Sequence, residues 1–155
     1  MASNQVDDDQ PEGQPEQEGL RSIVERAVNE TSTELRAGYT EANYQALLWA
    51  KLDCYTNLSA HKEVAFTMYS RHHYMLGTCR ADIVVERRAW ETIEGAQVNV
   101  VQEGLIIEVK AGIKFARKHY GQIQRYMQHY PDAYPGLLVY FGLNGAECGM
   151  HWFTD

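Results

Sequence analysis

Charged side chains occur inside two otherwise apolar segments of the chain. Asp82 lies in the run 81–85, and Glu108 and Lys110 lie in the run 105–110. If both segments are β-strands, Glu108 and Lys110 project from the same face, because side chains alternate between the faces of a strand. Carboxylates from adjacent strands suit a divalent metal ion, and an amine beside them suits proton handling or charge stabilisation. The spacing predicts a site for metal-assisted phosphodiester hydrolysis.

The predicted ion is Mg²⁺ or Mn²⁺, held by Asp82, Glu108 and the main-chain carbonyl of Val109. It would polarise a phosphoryl oxygen and help to ionise a bound water. Lys110 is assigned to positioning water and stabilising charge rather than to base catalysis, because neighbouring carboxylates favour a charged amine. The alternative is an exposed strand with surface ion pairs, which contribute little. The apolar neighbours argue against it, since unpaired charge in a buried strand is costly.

A helix predicted at 115–130 carries polar side chains on one face. His119, Gln122 and Tyr126 have the spacing i, i+3 and i+7, which places them on the same side of a helix. Gln122 can orient a water or a phosphate, and Tyr126 can bond a phosphate or stack on a base. For His119 and Tyr126, packing at the edge of the core stays open as the alternative.

Basic residues are concentrated around this helix, although the formal net charge of the chain is −7. The first 20 residues carry six acids and no Lys or Arg, so six of the seven excess negative charges lie there and the rest of the chain is at −1. The stretch 111–131 contains no acid and four basic residues, Lys114, Arg117, Lys118 and Arg125. A local basic face attracts phosphate more than the global sum suggests. A solvated helix face is the alternative interpretation.

Composition narrows the class of protein. A chain of 155 residues with 45% hydrophobic content favours a single globular domain, predicted at 19–155 behind an acidic disordered tail at 1–18. The apolar runs are short and the first residues lack a signal-peptide pattern, so we expect an intracellular protein, cytoplasmic or nuclear, with no membrane partner. Three widely spaced cysteines argue against a disulfide framework or a zinc ribbon. His72 and His73 are predicted to be turn surface.

Hydrophobic spacing predicts the element order α-α-β-β-β-α-β-β, a mixed sheet between helices. The first helix is expected at 20–35 and the second, capped by Thr40, at about 41–55. Strands are expected at 62–70, 79–87, 105–110, 136–141 and 149–153. Residues 88–104 show no period and are predicted to be a long hairpin connection, with a short strand at 98–101.

The ordered motifs resemble a known family. Asp82, the Glu-Val-Lys segment 108–110 and the Gln-Ile-Gln-Arg-Tyr segment 122–126 resemble the PD-(D/E)xK nuclease superfamily, including the QxxxY motif of RecB-type exonucleases. The segment 38–44, Gly-Tyr-Thr-Glu-Ala-Asn-Tyr, matches the signature of the GxxExxY proteins. Segments 80–86, 107–111 and 136–142 are similar to that family too, so the resemblance covers about residues 20 to 142.

This resemblance implies a restriction-endonuclease-like α/β core, with a mixed central sheet flanked by helices, and metal-dependent cleavage of DNA. It implies that Asp82 and Glu108 are direct metal ligands and that Lys110 is the catalytic lysine. Gln122 and Tyr126 would form an auxiliary helix pair. Glu41 would join the metal site, often through water; from the residues alone, a first-turn acid favoured by the helix dipole stays equally open.

The leading hypothesis is an Mg²⁺- or Mn²⁺-dependent deoxyribonuclease whose partner is nucleic acid. A non-cleaving nucleic-acid-binding module on the same fold stays open as an alternative. So does an accessory subunit that uses the acidic tail to contact a protein. A homodimer is also left open.

Overall fold

The computed structural model describes residues 18–112, 116–143 and 147–154. Its elements are α1 (Leu20–Leu35), α2 (Glu41–Asp53), β1 (Leu58–Tyr69), β2 (Met75–Ile93), β3 (Ala96–Ala111), α3 (Arg117–His129), β4 (Gly136–Leu143) and β5 (Glu147–Phe153). The predicted order of elements is confirmed. The predicted tail lies outside the described residues except for its last residue, Glu18.

The five strands form one mixed sheet in the order β1-β2-β3-β4-β5. All neighbouring pairs are antiparallel except β3 and β4, which are parallel. A parallel pair needs a long crossover, and α3 lies in the connection between these two strands. This arrangement makes β3 the central strand and confirms the predicted mixed sheet between helices.

Helices cover both faces of the sheet. On one face, Val24 of α1 and Leu48 of α2 pack in one core with Ile107 of β3. On the other, Ile123 of α3 packs in a second core with Ile106. Because neighbouring residues of β3 enter different cores, the strand is buried on both sides, as its nearly continuous apolar run predicts. Within the described residues, no helix has the length and apolar character that a membrane span requires.

The first two strands change faces partway along their length. Ala60 and Ile83 belong to the core under α1 and α2, whereas Phe66 and Ala81 belong to the core under α3. In a strand that alternates regularly, residues 60 and 66 would lie on the same face, and so would residues 81 and 83. Because residues 60 and 66 belong to different cores, the alternation of side chains in β1 inverts between them. Glu63 lies at the inversion, with a left-handed φ of 57°. In β2 the alternation inverts between residues 81 and 83, opposite the inversion in β1.

The long connection predicted at 88–104 is wrong in its extent: β2 and β3 continue through it as a paired hairpin with a register shift between Arg87 and Arg88, and the short strand predicted at 98–101 lies within β3. Their pairing continues to Ile93 and Ala96, and the turn consists of Glu94 and Gly95, both with positive φ (49° and 81°). Positive φ at two central residues is typical of the tight hairpin turn that matches strand twist. Side chains 90–99 are exposed on both faces, so these strands carry no hydrophobic alternation to detect. β1 and β2 likewise begin earlier than predicted.

Candidate active site

Asp82 lies where β2 and β3 separate. Toward the C-terminal end of β3, the last residue paired with β2 is Ile107, opposite Ile83. Residues 108–111 of β3 are paired with β4, on the other edge of the strand. The side chain of Asp82 replaces the missing strand contact: its Oδ2 accepts a hydrogen bond from the backbone N–H of Val109 at 2.7 Å. This bond fixes the carboxylate beside the segment that carries Glu108.

Glu108 is an acid held in the interior, with 3% of its surface exposed. Its Oε1 lies 3.2 Å from Nζ of Lys110, while Oε2 is buried and has no hydrogen-bond partner. Burial and the neighbouring Asp82 carboxylate raise the pKa of Glu108 to about 8, against the smaller opposing effect of Lys110. Burial also raises the pKa of Asp82. Lys110 therefore does not fully offset the cost of ionising the two carboxyl groups, and Oε2 of Glu108 remains able to bind a cation.

Glu41 reaches the end of β3 from the first turn of α2. Its Oε2 accepts a hydrogen bond from the N–H of Ala111 at 3.3 Å, and its Oε1 lies 3.9 Å from Nζ of Lys110. Across the described ranges, no three His, Cys, Asp or Glu side chains converge to hold an ion by themselves. A cation between Asp82 and Glu108 would take its remaining ligands from main-chain oxygen, water or phosphate, which is how Mg²⁺ commonly binds.

The turn before α2 explains the spacing of the motif at 38–44. Gly38 has a φ of 97°, a conformation that favours glycine. The buried Tyr44 donates its hydroxyl hydrogen to the carbonyl oxygen of Arg36, and its ring stacks on Phe141 with centroids 4.7 Å apart. Through these contacts, Tyr44 connects the residues before Gly38 and the helix after it to the core. They thereby fix where the first turn of α2 presents Glu41.

α3 forms the opposite wall of the site. Nε2 of Gln122 donates to the hydroxyl of Tyr126 at 2.8 Å. The ring of Tyr126 is buried edge-on against Phe66, with centroids 5.7 Å apart, so the ring is not available to stack on a base. Burial and the Glu108 charge raise the pKa of Tyr126 to about 12. Its hydroxyl therefore keeps its proton and retains the predicted ability to bond a phosphate.

Tyr140 belongs to the site but was not predicted from the sequence. It pairs in register with Lys110, accepts a hydrogen bond from the N–H of Ala116 at 2.9 Å and is hydrogen-bonded to Nδ1 of His119. Burial lowers the pKa of His119, and the charges of Lys110 and Lys118 lower it further, so the ring is neutral at neutral pH. The only sequence signal for Tyr140 is a hydroxyl inside an apolar run.

Gln45 is a second residue that the sequence did not indicate. Its Nε2 donates to the carbonyl oxygen of Asp82 at 3.1 Å and to Oε1 of Glu63 at 2.8 Å. The flanking register pairs place Glu63 opposite Asp82, at the point where the strands change faces. Gln45 therefore joins α2 to the irregular backbone that presents Asp82. No sequence pattern marks it, because the contact spans 37 positions.

A cleft of about 560 Å³ lies between α3 and the ends of β1, β2 and β3. The described residues that line it include no acid, and the basic ones are Arg80, Lys110, Lys118 and Arg125. His119, Gln122 and Tyr126 line it too, so the structure brings together most residues of the predicted helix face. Arg117 is exposed outside this lining, and Lys114 lies outside the described residues. His72 and His73 are exposed at a turn, as predicted.

Comparison with known proteins gives a family match. A sequence model of the PD-(D/E)XK nuclease superfamily matches residues 18–150. Among solved structures, the crystal structure of SSO0001 is similar, with a TM-score of 0.45 and 16% identity over 87% of this chain and 77% of that chain. This similarity is too distant to support a functional comparison. No curated protein matches the chain significantly.

Proposed function

Since the chain belongs to the PD-(D/E)XK nuclease superfamily, we propose that it hydrolyses phosphodiester bonds of DNA with Mg²⁺ or Mn²⁺. The observation that carries the proposal is the buried, unpartnered Oε2 of Glu108 beside the carboxylate of Asp82. Burial raises the pKa of both carboxyl groups, and the Asp82 charge raises that of Glu108 further, so a cation between them would stabilise their ionised forms. The motif at 38–44 further supports a place among the GxxExxY proteins.

The donor set fits a hard divalent ion. Asp82 and Glu108 would hold it directly, with the carbonyl of Val109 as a further ligand and Glu41 acting through water. When bound, the ion supplies Lewis acidity and offsets negative charge on the phosphate and the leaving oxygen. An ionised carboxylate only accepts hydrogen bonds, so without a cation Oε2 of Glu108 is satisfied only by sharing a proton.

Lys110 supplies the fixed positive charge of the site. Its ammonium lies 3.2 Å from Oε1 of Glu108 and 3.9 Å from Oε1 of Glu41. Held between these carboxylates at the end of β3, it can orient the attacking water and stabilise charge that develops on the phosphate. Gln122 and Tyr126 present a bonded amide and hydroxyl from the opposite wall. Both are suited to orienting a phosphate oxygen.

The test is cleavage of linear, circular and branched DNA in the presence of Mn²⁺. Glu108→Gln keeps the shape of the side chain but removes the charge, so we expect no cleavage and no Mn²⁺ binding by calorimetry. The matched control is Glu91→Gln, an exposed acid on the β2–β3 hairpin, which should behave as the unmodified protein. If the unmodified protein cuts no DNA in any form and binds no metal, the proposal fails. DNA binding without cleavage would instead favour the non-cleaving module.

A further inference from the structure

The hairpin that joins β1 to β2 exposes several large apolar and aromatic side chains. In this β1–β2 tip, defined as residues 69–76, the exposed fractions are 52% for Tyr69, 74% for Tyr74, 71% for Met75 and 60% for Leu76. Contiguous exposed apolar surface on a protein marks an interaction site more often than chance. None of these side chains takes part in the chemistry proposed above.

The backbone of the tip is ordered by its own hydrogen bonds. Ser70 N–H donates to the carbonyl oxygen of Tyr74 at 2.8 Å, and His73 N–H donates to the carbonyl oxygen of Ser70 at 2.9 Å. Tyr74 N–H donates to Oγ of Ser70 at 3.1 Å. Because the turn is closed on itself, the Tyr74 ring is presented to solvent from a fixed backbone.

The β1–β2 tip differs in charge from the other end of β2, which forms the β2–β3 hairpin. The segment 64–81 contains Arg71 and Arg80 and no acid, whereas 89–102 contains Glu91 and Glu94 and no Lys or Arg. Both ends of β2 expose an aromatic side chain, since Trp90 is 69% exposed. Of these two ends of β2, the β1–β2 tip is the one that combines exposed rings with the sign of charge that attracts phosphate.

The tip is continuous with the basic cleft that Lys110 and the side chains of α3 line. Met68 and Arg125 line that cleft, and they also line a second hollow of about 490 Å³ between β1, β2 and α3. Leu76 of the tip lines the second hollow, together with the polar side chains Gln128 and His129 of α3. The described residues around this hollow include no acid. A polyanionic strand lying in the cleft can extend along this surface to the tip.

We propose that the β1–β2 tip is a stacking platform for unpaired bases, and that the substrate is DNA with a single-stranded segment. The inference rests on the proposed function for placing a nucleic acid in the cleft. Exposed aromatic rings bind nucleic acid by stacking on bases, and bases are accessible for this only where they are unpaired. A surface that met only the backbone of a duplex would use charge and hydrogen bonds, to which a tyrosine contributes its hydroxyl but not the face of its ring.

The experiment is binding of labelled oligonucleotides in EDTA, followed by fluorescence anisotropy. Tyr74→Ala should weaken binding of single-stranded DNA about tenfold and leave binding of blunt duplex DNA within about twofold. Tyr74→Phe keeps the ring and should bind as the unmodified protein does. Trp90→Ala is the matched control, since Trp90 has similar exposure and lies toward the other end of β2, in the acidic hairpin.

Two outcomes overturn the inference. In the first, Tyr74→Ala and Trp90→Ala bind single-stranded DNA equally well, which is expected if the tip contacts a protein. In the second, Tyr74→Ala loses the same affinity for single-stranded DNA as for duplex DNA. Cleavage separates this result from the proposed function. If the unmodified protein cleaves DNA but Tyr74→Ala binds normally, only the platform is wrong. If Tyr74→Ala loses single-strand binding but no form of DNA is cleaved, only the nuclease proposal is wrong. A melting curve for each variant checks that the exposed substitutions leave the fold intact.

Discussion

Glu108, a metal ligand in the proposed site, is a buried side chain whose ionisation lowers stability. Its pKa in the folded chain is about 8, above the ordinary value of 4.5, because the carboxylate is buried beside Asp82. The folded state therefore binds this proton more tightly than the unfolded state does. Stability contributed by the neutral acid is present below pH 4.5 and is lost as the pH rises through about 8.

We predict that Glu108→Gln stabilises the metal-free protein above pH 8. The amide is neutral at every pH and can share a hydrogen with Asp82, so the free energy of unfolding should rise by about 1–3 kcal/mol. Near the ordinary carboxyl pKa of 4.5 the two proteins should be equally stable. Urea unfolding in EDTA at both pH values measures this. A constant difference at both values would contradict the assigned protonation.

Lys110→Ala should separate cleavage from binding. Loss of the ammonium removes charge stabilisation at the reacting phosphate, so the rate of DNA cleavage in Mn²⁺ should fall about 10²- to 10³-fold. Affinity for DNA should change little, because Lys118 and Arg125 still line the cleft and can contact phosphate. Lys51→Ala is the control: this amine pairs with Glu34 at 2.8 Å on the α1–α2 side, and its removal should not affect cleavage.

At the scale of elements, the start of α2 is determined by nearby residues. Thr40 accepts a hydrogen bond from the N–H of Asn43, and Asn43 Oδ1 accepts one from the N–H of Thr40, which forms a capping box. Such contacts lie within one turn, so the sequence pattern predicts the cap by Thr40, whereas the reciprocal bond through Asn43 was not predicted. The sequence predicts a hairpin connection between β2 and β3 but not the length of its strands, because their exposed side chains carry no period.

Gly38→Ala should destabilise the protein by about 1–2 kcal/mol, because an alanine at a φ of 97° is strained even though no atom crowds the added carbon. Cleavage should fall as well, since this turn fixes Glu41. Gly121→Ala is the matched control. It lies in α3 with open space around it, and removing a helical glycine should stabilise the fold by about 0.5–1 kcal/mol. Thermal unfolding of both variants decides; equal effects would contradict the role given to Gly38.

At the scale of the whole molecule, charge is unevenly distributed. Six acids lie in the first 20 residues, and the stretch 89–102 of the β2–β3 hairpin has two acids and no Lys or Arg, while the described lining of the cleft is basic. The net charge of −7 therefore does not describe the surface that a polyanion would meet. Attraction at such a surface acts mainly through phosphate and releases bound counterions.

We predict a salt-dependent affinity for DNA in EDTA, with the logarithm of the binding constant falling linearly with the logarithm of salt concentration. Arg125→Ala should reduce the slope by about 1, which is the effect of losing one phosphate contact. Lys51→Ala should leave the slope unchanged. Titrations at several salt concentrations measure both variants. A slope that Arg125→Ala does not change would remove this residue from the DNA-binding surface.

The sequence by itself determined the order of the elements, the capped start of α2 and the common face of Glu108 and Lys110. These features follow from helical spacing, strand alternation and capping, which act over a few residues. Only the tertiary structure decided how Asp82 bonds to Val109, how Tyr140 bonds to His119 and which oxygen of Glu108 lacks a partner. Those contacts depend on strand register, on the inversion of β1 and on burial. All three arise from packing between residues far apart in the chain.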